Sequence, residues 1–268
     1  ANVYPWMEQE RRGAKVVRLK PERPGEITPD LVKAALTEKT RLVALASVHF
    51  FTGFGIDVDA IGRMLGERDI LFSVDAIQSV GAQPVSVEHV DFLAADAHKW
   101  MMGPMTAGIF YVKESRFEEL RPTLLGAWNV ACPDFVVQDE IKFHPTAQRY
   151  EPGVLNAPGI HGMTASIRML AGVGTDVVQA RCLALKERIV GMLENKGYEI
   201  FGEKEGPNVT SITTFAHPEK DVFELWLKFE KAGITTSLRR DSAGKTYIRL
   251  SPHFYNTAEE LEKVGRML

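Results

Sequence analysis

The sequence predicts an α/β protein: a mostly parallel sheet with helices on both faces, followed by a smaller α+β domain. In the first two-thirds of the chain, short runs of apolar and β-branched residues alternate with amphipathic stretches, as expected for parallel strands joined by helices. After Arg121 the pattern becomes irregular and then returns as helices mixed with strands. The 268 residues suffice for a large core, and we place the domain boundary between residues 1–174 and residues 175–268.

The first part is predicted to contain two helices and five strands. Pro29 to Leu36 and Asp57 to Glu67 have apolar residues at helical spacing. The strand candidates are residues 15–19, 41–47, 70–74, 90–94 and 108–112. The connection from Ala94 to Gly108 is too short to hold a full crossover helix, so we expect the strand at residues 108–112 to be antiparallel.

An irregular excursion at residues 122–158 follows, of a length typical of functional loops. The elements expected after it are helices at 159–171, 177–196 and 222–232, strands at 209–215 and 246–251, and a final helix capped by Asn256-Thr257.

Composition excludes several classes of protein. With 45% hydrophobic residues, 25% charged residues and a net charge of −3, the chain has no electrostatic footprint for nucleic acid or an anionic membrane. Its longest apolar runs, such as Leu42 to Val48, are too short to cross a bilayer, and its first residues do not form a signal peptide. Cys132 and Cys182 are isolated, which indicates a reducing compartment and no metal site. We therefore expect a cytoplasmic protein.

Polar residues stand where two of the predicted strands end. Asp75 follows one strand, and His98-Lys99 follows the next. In an open α/β sheet, ligands bind beyond the carboxyl ends of the strands, so Asp75 and Lys99 are expected to face one crevice. Pyridoxal phosphate (PLP) chemistry needs such a pair: the amine forms the internal aldimine, and the carboxylate keeps the pyridine nitrogen protonated.

Taken separately, each of these residues has an ordinary explanation. An Asp after a strand often caps a helix, and a His-Lys pair is usually surface. The combination of Asp75-Ala-Ile-Gln78, His98-Lys99-Trp100 and Gly103-Pro104 is far more specific. It resembles the class V aminotransferase family of fold type I PLP enzymes, which includes cysteine desulfurases, selenocysteine lyases, kynureninases and isopenicillin epimerase-like proteins. The resemblance covers essentially the whole chain.

The resemblance implies a role for each of five residues. Asp75 pairs with the pyridinium nitrogen, and Gln78 hydrogen-bonds the ring oxygen of the cofactor. His98 contacts the phosphate, and Lys99 carries the aldimine. Thr52 lies where the family usually has an Asn near the ring oxygen, and its hydroxyl can still donate there.

Two further positions depart from the family pattern. Asp96 stands where many relatives place a phosphate-binding Ser; since a carboxylate would repel a phosphate, we expect it to turn away. Val154 replaces the Thr that reaches the neighbouring subunit's phosphate in relatives. The resemblance thus implies a homodimer with Gly153–Asn156 near the partner's site, the alternative being a plain Gly-Pro loop.

The segment Tyr247 to Thr257 resembles the family's substrate-carboxylate motif. Arg249 lies inside an apolar strand, where a charged side chain needs a partner. A guanidinium suits a carboxylate because it binds it bidentately. The alternative is a structural ion pair at an edge strand.

The start of the chain predicts a truncated member. Ala1 has no Met before it, and Asn2 to Trp6 resembles a stretch just after the residue that stacks on the pyridine ring in relatives. The stacking residue and a phosphate-binding loop would then be absent.

The reaction is expected to differ from that of a persulfide-forming desulfurase. Relatives of that type carry a Cys nucleophile in the segment that corresponds to Gly233 to Lys245, where this chain has none. Cys132 lies in the irregular excursion and Cys182 in a helical pattern, where a buried inert thiol is the default. A lyase, epimerase or aminotransferase acting on an amino acid remains open, with Lys99 moving the α-proton.

Two other classes of protein compete with this prediction. A truncated or degenerate PLP-type fold without catalysis would serve as a structural or interaction module. A nucleotide-binding domain is disfavoured because no Gly-rich phosphate loop follows a strand.

Overall fold

The computed structural model describes residues 2–241 and 243–268. The α-helices in these residues are α1 (Tyr4–Met7), α2 (Pro29–Ala35), α3 (Val58–Gly66), α4 (Ala157–Val173), α5 (Thr175–Asn195), α6 (Phe223–Lys231) and α7 (Ala258–Met267). The strands are β1 (Leu42–Ala46), β2 (Leu71–Asp75), β3 (Phe92–Asp96), β4 (Gly108–Val112), β5 (Glu199–Phe201), β6 (Thr213–Ala216), β7 (Ser237–Arg240) and β8 (Thr246–Leu250).

The first sheet has the strand order β1-β2-β3-β4. Its first three strands are parallel and β4 runs antiparallel to β3, as the short connection predicts. Helices α2 and α3 contribute Val32, Ile61 and Leu65 to a core that also contains Phe72 and Val74. Burying each such large aliphatic or aromatic side chain contributes about 1.5–3 kcal/mol, so this face fixes the register of the sheet.

Side-chain caps explain where the two early helices begin. The Thr28 hydroxyl accepts a hydrogen bond from the Leu31 N–H at 3.2 Å, and Asp57 accepts one from the Ala60 N–H at 2.8 Å. Each cap satisfies an N–H group that has no partner within the helix.

The second sheet has the order β5-β6-β8-β7, and all its pairs are antiparallel. Helices α5, α6 and α7 pack on it around Phe215, Phe229 and Ile248. A capping box between Thr257 and Glu260 starts α7.

The loop after β1 is tied to the second sheet. The Thr210 hydroxyl donates to the Gly53 carbonyl at 2.6 Å. Gly53 has φ +74°, and a Cβ there would lie 2.6 Å from the Ile212 carbonyl, so the position requires glycine. A shared apolar cluster containing Trp100 and Val178 completes the contact. The end of the first sheet is thereby held against the second.

The predicted fold class, a mixed α/β protein with a mainly parallel sheet, is confirmed. The strand expected at Lys15 to Leu19 is wrong: this mostly exposed segment is irregular. The strand expected at 209–215 begins only at Thr213, and β5 and β7 were not expected. Three residues are too few for β5 to show alternation, and β7 is rich in Arg rather than apolar residues. Across the described residues, no helix combines the length and the apolar character that a bilayer span demands.

Candidate active site

The carboxyl ends of β2 and β3 bring two carboxylates to one edge of the first sheet. Asp75 is the last residue of β2 and pairs in register with Ala94, two residues before Asp96. Because side chains alternate along a strand, all three lie on one face. They line a cavity of about 440 Å³ together with Gly108 and Phe110 of β4. The structure therefore supplies an open, acidic crevice where the sequence predicts one.

Lys99 follows directly after this edge. Within the described residues its amine has no hydrogen bond and no ion pair. The pKa of Lys99 is lowered, first by partial burial and then by the charge of Arg249, whereas Asp75 acts in the opposite direction. A lysine with a lowered pKa is a better nucleophile at neutral pH.

The backbone around Lys99 is tightly constrained. Met102 and Thr106 have positive φ values of 55° and 65°, which are uncommon for residues with side chains and cluster at functional sites. A Cβ on Gly81 would lie 2.5 Å from the Trp100 carbonyl. The turn that carries Lys99 therefore has little freedom to shift.

His98 and Asp96 form a pair beside the cavity. His98 Nδ1 lies 3.0 Å from one Asp96 carboxylate oxygen, and the other oxygen, Oδ1, is buried without a partner among the described residues. Asp96 lines the cavity, so the expectation that it turns away is wrong. The imidazole of His98 is therefore the polar neighbour of this carboxylate at the cavity.

Gln78 and Thr52 are both buried and already have partners in the protein. The Gln78 carbonyl oxygen accepts a hydrogen bond from the Trp100 indole N–H at 2.8 Å. The Thr52 hydroxyl lies 2.9 Å from His49 Nδ1 and 3.3 Å from the Phe54 N–H. A buried indole N–H needs an acceptor, but that rule alone does not identify Gln78 as the partner from the sequence.

Arg249 projects from the middle of β8 toward the loop after β1. Its guanidinium donates to the Phe50 carbonyl at 2.6 Å and to the Ser237 hydroxyl at 3.3 Å, and its Nε is buried without a partner. Burial, and then the charge of Arg239, lowers the pKa of Arg249 to about 10. Among the described residues no carboxylate pairs with it, so the structural ion pair considered as the alternative is absent.

The Gly153–Asn156 segment is exposed, with Val154 85% accessible. Asn156 caps α4 by accepting from the Gly159 N–H, and its amide donates to the Thr106 hydroxyl at 2.9 Å. The segment is thus joined to the loop that precedes β4.

Sequence reasoning missed Arg239, which lies in the unexpected strand β7. Its charge acts on both Arg249 and Lys99. The sequence of β7, Ser-Leu-Arg-Arg, has one apolar residue and no alternation, so it does not indicate a strand.

The mainly parallel sheet with Asp75 at a strand end and Lys99 just beyond the next one has the arrangement that the resemblance to fold type I PLP-dependent enzymes implies. The chain belongs to the aminotransferase class-V family, whose sequence profile matches residues 1–264. The predictions of this family, of a PLP-dependent enzyme and of the cofactor are confirmed.

Known proteins of this family resemble the chain over nearly its whole length. It is 29% identical to a "Probable cysteine desulfurase" of Methanothermobacter thermautotrophicus, over 100% of the chain and 70% of that protein. The apo structure of a cysteine desulfurase from Thermococcus onnurineus NA1 matches with a TM-score of 0.90 at 24% identity, over 99% of the chain and 68% of that structure. A lysine-to-alanine variant of C-DES, with glycine covalently linked to its PLP cofactor, matches with a TM-score of 0.78 at 20% identity, over 93% of the chain and 64% of that structure.

Proposed function

We propose that this chain holds PLP through Lys99 and acts on an amino acid as a lyase, epimerase or aminotransferase. One observation carries the proposal: Lys99, whose amine has no partner among the described residues, follows the end of β3, the strand that pairs with the Asp75 end of β2. The charges of Arg249 and Asp75 act in opposite directions on the pKa of Lys99. Lys99 supplies an amine that can bind the cofactor, and Asp75 supplies a carboxylate for the pyridine nitrogen. Arg249 supplies a cation that can bind a substrate carboxylate.

Bound PLP supplies an electron-accepting ring that stabilises negative charge at the substrate Cα. Asp75 holds a proton on the pyridine nitrogen, because a nearby carboxylate favours the charged form of that ring. Lys99 moves the proton at the substrate Cα, a step for which its lowered pKa suits it. Arg249 binds the α-carboxylate and so orients the bond that is broken.

Three more residues complete the proposed cofactor site. His98 holds the phosphate, and its pairing with Asp96 offsets the negative charge that would otherwise repel that group. Gln78 would donate to the ring oxygen from its amide nitrogen, because its carbonyl oxygen already accepts from the Trp100 indole N–H. Thr52 would donate its hydroxyl to the same ring oxygen, which requires that it give up its hydrogen bond to His49.

Cysteine desulfuration is the second candidate, and the names of the relatives favour it. The thiols of this chain argue against a persulfide route. Burial raises the pKa of Cys182 to about 11, which leaves it protonated and unreactive. The described hydrogen bond of Cys132 goes to Val136, in the irregular excursion. Incubation with L-cysteine decides between the routes: a protein persulfide that disappears in Cys132→Ser would establish the desulfurase.

Covalent labelling tests the proposal directly. Protein incubated with PLP and reduced with borohydride should carry a pyridoxyl group on the peptide containing His98-Lys99-Trp100, and absorbance should show the bound cofactor. Lys99→Ala should lose the label, whereas Lys39→Ala, a change at an exposed lysine, should keep it. Label scattered over surface lysines, or none, would favour the non-catalytic module instead.

The domain boundary, oligomeric state and compartment complete the proposal. We place the boundary at Gly174, which lies between α4 and α5 and has a φ of 90°.

Exposed apolar residues in the 122–158 excursion, Leu124 and Val137 among them, support a homodimer interface that includes Gly153–Asn156. Light scattering on the purified chain would measure the oligomeric state. The two unpaired cysteines support the cytoplasm as its location.

A further inference from the structure

Two arginines share one face of the second sheet. In the register of β7 and β8, Ser237 lies opposite Arg249 and Arg239 lies opposite Tyr247. Because side chains alternate along a strand, these four residues project from the same face, whereas Arg240 projects from the other. Arg249 donates to the Phe50 carbonyl and Tyr247 packs edge-on against Phe51, so this face is directed at the loop after β1.

Neither arginine has a carboxylate partner among the described residues. The Nε atoms of both Arg239 and Arg249 are buried without a hydrogen-bond acceptor. Other partly buried arginines of the chain are paired: Arg116 with Asp91 at 2.9 Å, and Arg149 with Glu118 at 3.1 Å. Two adjacent, partly buried cations without an anion are unfavourable, so this arrangement is not explained by the stability of the fold.

The charges of Arg249 and Arg239 both lower the pKa of Lys99, the residue that we propose holds the cofactor. One arginine is sufficient to bind the α-carboxylate of an amino acid in bidentate fashion. The second is then available for another negative group on the same substrate.

We propose that Arg239 binds a carboxylate on the substrate side chain, so that the substrate is a dicarboxylic amino acid of the size of aspartate or glutamate. The inference rests on the function proposed above and names its substrate class. It requires no change in the roles of Lys99, Asp75 or Arg249.

Paired titrations test the substrate class in the PLP-loaded protein. L-aspartate and L-glutamate are compared with L-asparagine and L-glutamine, and affinity is measured from the absorbance change of the cofactor. At least one acid should bind roughly ten- to a hundredfold more tightly than its amide, the range of a charge-assisted hydrogen bond. Arg239→Gln should remove the difference, Arg239→Lys should restore part of it, and Arg240→Gln on the opposite face should leave it unchanged.

A second measurement does not depend on the cofactor. Succinate should raise the melting temperature of the PLP-free protein more than butyrate does, and Arg239→Gln should abolish that difference. Equal binding of acids and amides, or an acid preference that survives in Arg239→Gln, would overturn the inference while leaving the proposed function in place. Succinate binding that depends on Arg239 in a protein that never attaches PLP would show a dicarboxylate site at Arg239 but refute the proposed function, and with it the substrate class inferred here.

Discussion

The two sheets of this protein present their charged groups in different ways. In the first sheet, Asp75 and Lys99 lie at or just beyond the carboxyl ends of parallel strands, where an open edge faces the cavity. In the second, Arg239 and Arg249 lie within antiparallel strands, and only the register brings them together. Groups at strand ends can be recognised from local sequence, whereas groups inside strands depend on a partner strand far along the chain.

Lys99 and Lys186 both have lowered pKa values but differ in their surroundings. Lys186 in α5 is almost fully buried, donates to the Ile212 carbonyl at 2.7 Å, and has a pKa lowered by burial to about 8. Lys99 is partly exposed and has no partner among the described residues. A perturbed pKa therefore does not by itself mark a functional site. What distinguishes Lys99 from Lys186 is an amine without a partner among the described residues, close in sequence to the strand end that carries Asp96.

The largest effect is expected at the edge of the first sheet. Lys99→Ala removes the group that we propose moves the substrate α-proton, so turnover should fall by about 10²–10⁴-fold, the usual contribution of general acid–base catalysis. Asp75→Asn keeps the shape but removes the charge, and turnover should fall much more than PLP affinity. Turnover is measured with the amino acid that binds most tightly. Near-normal turnover in either variant would remove that residue from the site.

A smaller effect is expected in the second sheet. Arg249→Gln removes a charge-assisted contact worth about 1.5–3 kcal/mol, so amino-acid affinity should fall roughly ten- to a hundredfold. Arg249→Lys keeps the charge but not the planar fork, and should recover only part of the affinity. The absorbance spectrum of bound PLP serves as the control and should be unchanged in both variants. Loss of PLP binding in a folded Arg249 variant would contradict a role in substrate recognition.

The same contrast explains how much the sequence could predict. The parallel sheet, the antiparallel β4 and the edge with Asp75 and Lys99 follow from alternating strands and helices and from the residues at strand ends. Strand β7 and Arg239 could not be predicted, because their environment depends on β8 pairing in a register that no local pattern specifies. The Gln78–Trp100 bond was missed for a related reason: its two partners lie in different loops.

The last prediction concerns the other lysine, whose role we take to be structural. The pKa of Lys186 is about 8 in the folded protein and near 10.5 when the chain is unfolded. Between these values the unfolded chain binds more protons, so the free energy of unfolding should rise with pH. From pH 7.5 to 9.5 the gain from this group is on the order of 1–2 kcal/mol, since one pKa unit corresponds to about 1.4 kcal/mol. Urea unfolding of the parent and of Lys186→Met at both pH values measures it.

Only the Lys186→Met variant should lose this rise, because other titrating groups are common to both proteins. Lys228→Met, at an exposed position on α6, is the matched control and should keep it. Equal pH dependence in the parent and in Lys186→Met would mean that water reaches the amine in the folded protein. If Lys186→Met stayed folded but no longer attached PLP, Lys186 would have a role in cofactor binding like the one proposed for Lys99. Our assignment of a purely structural role to Lys186 would then be wrong.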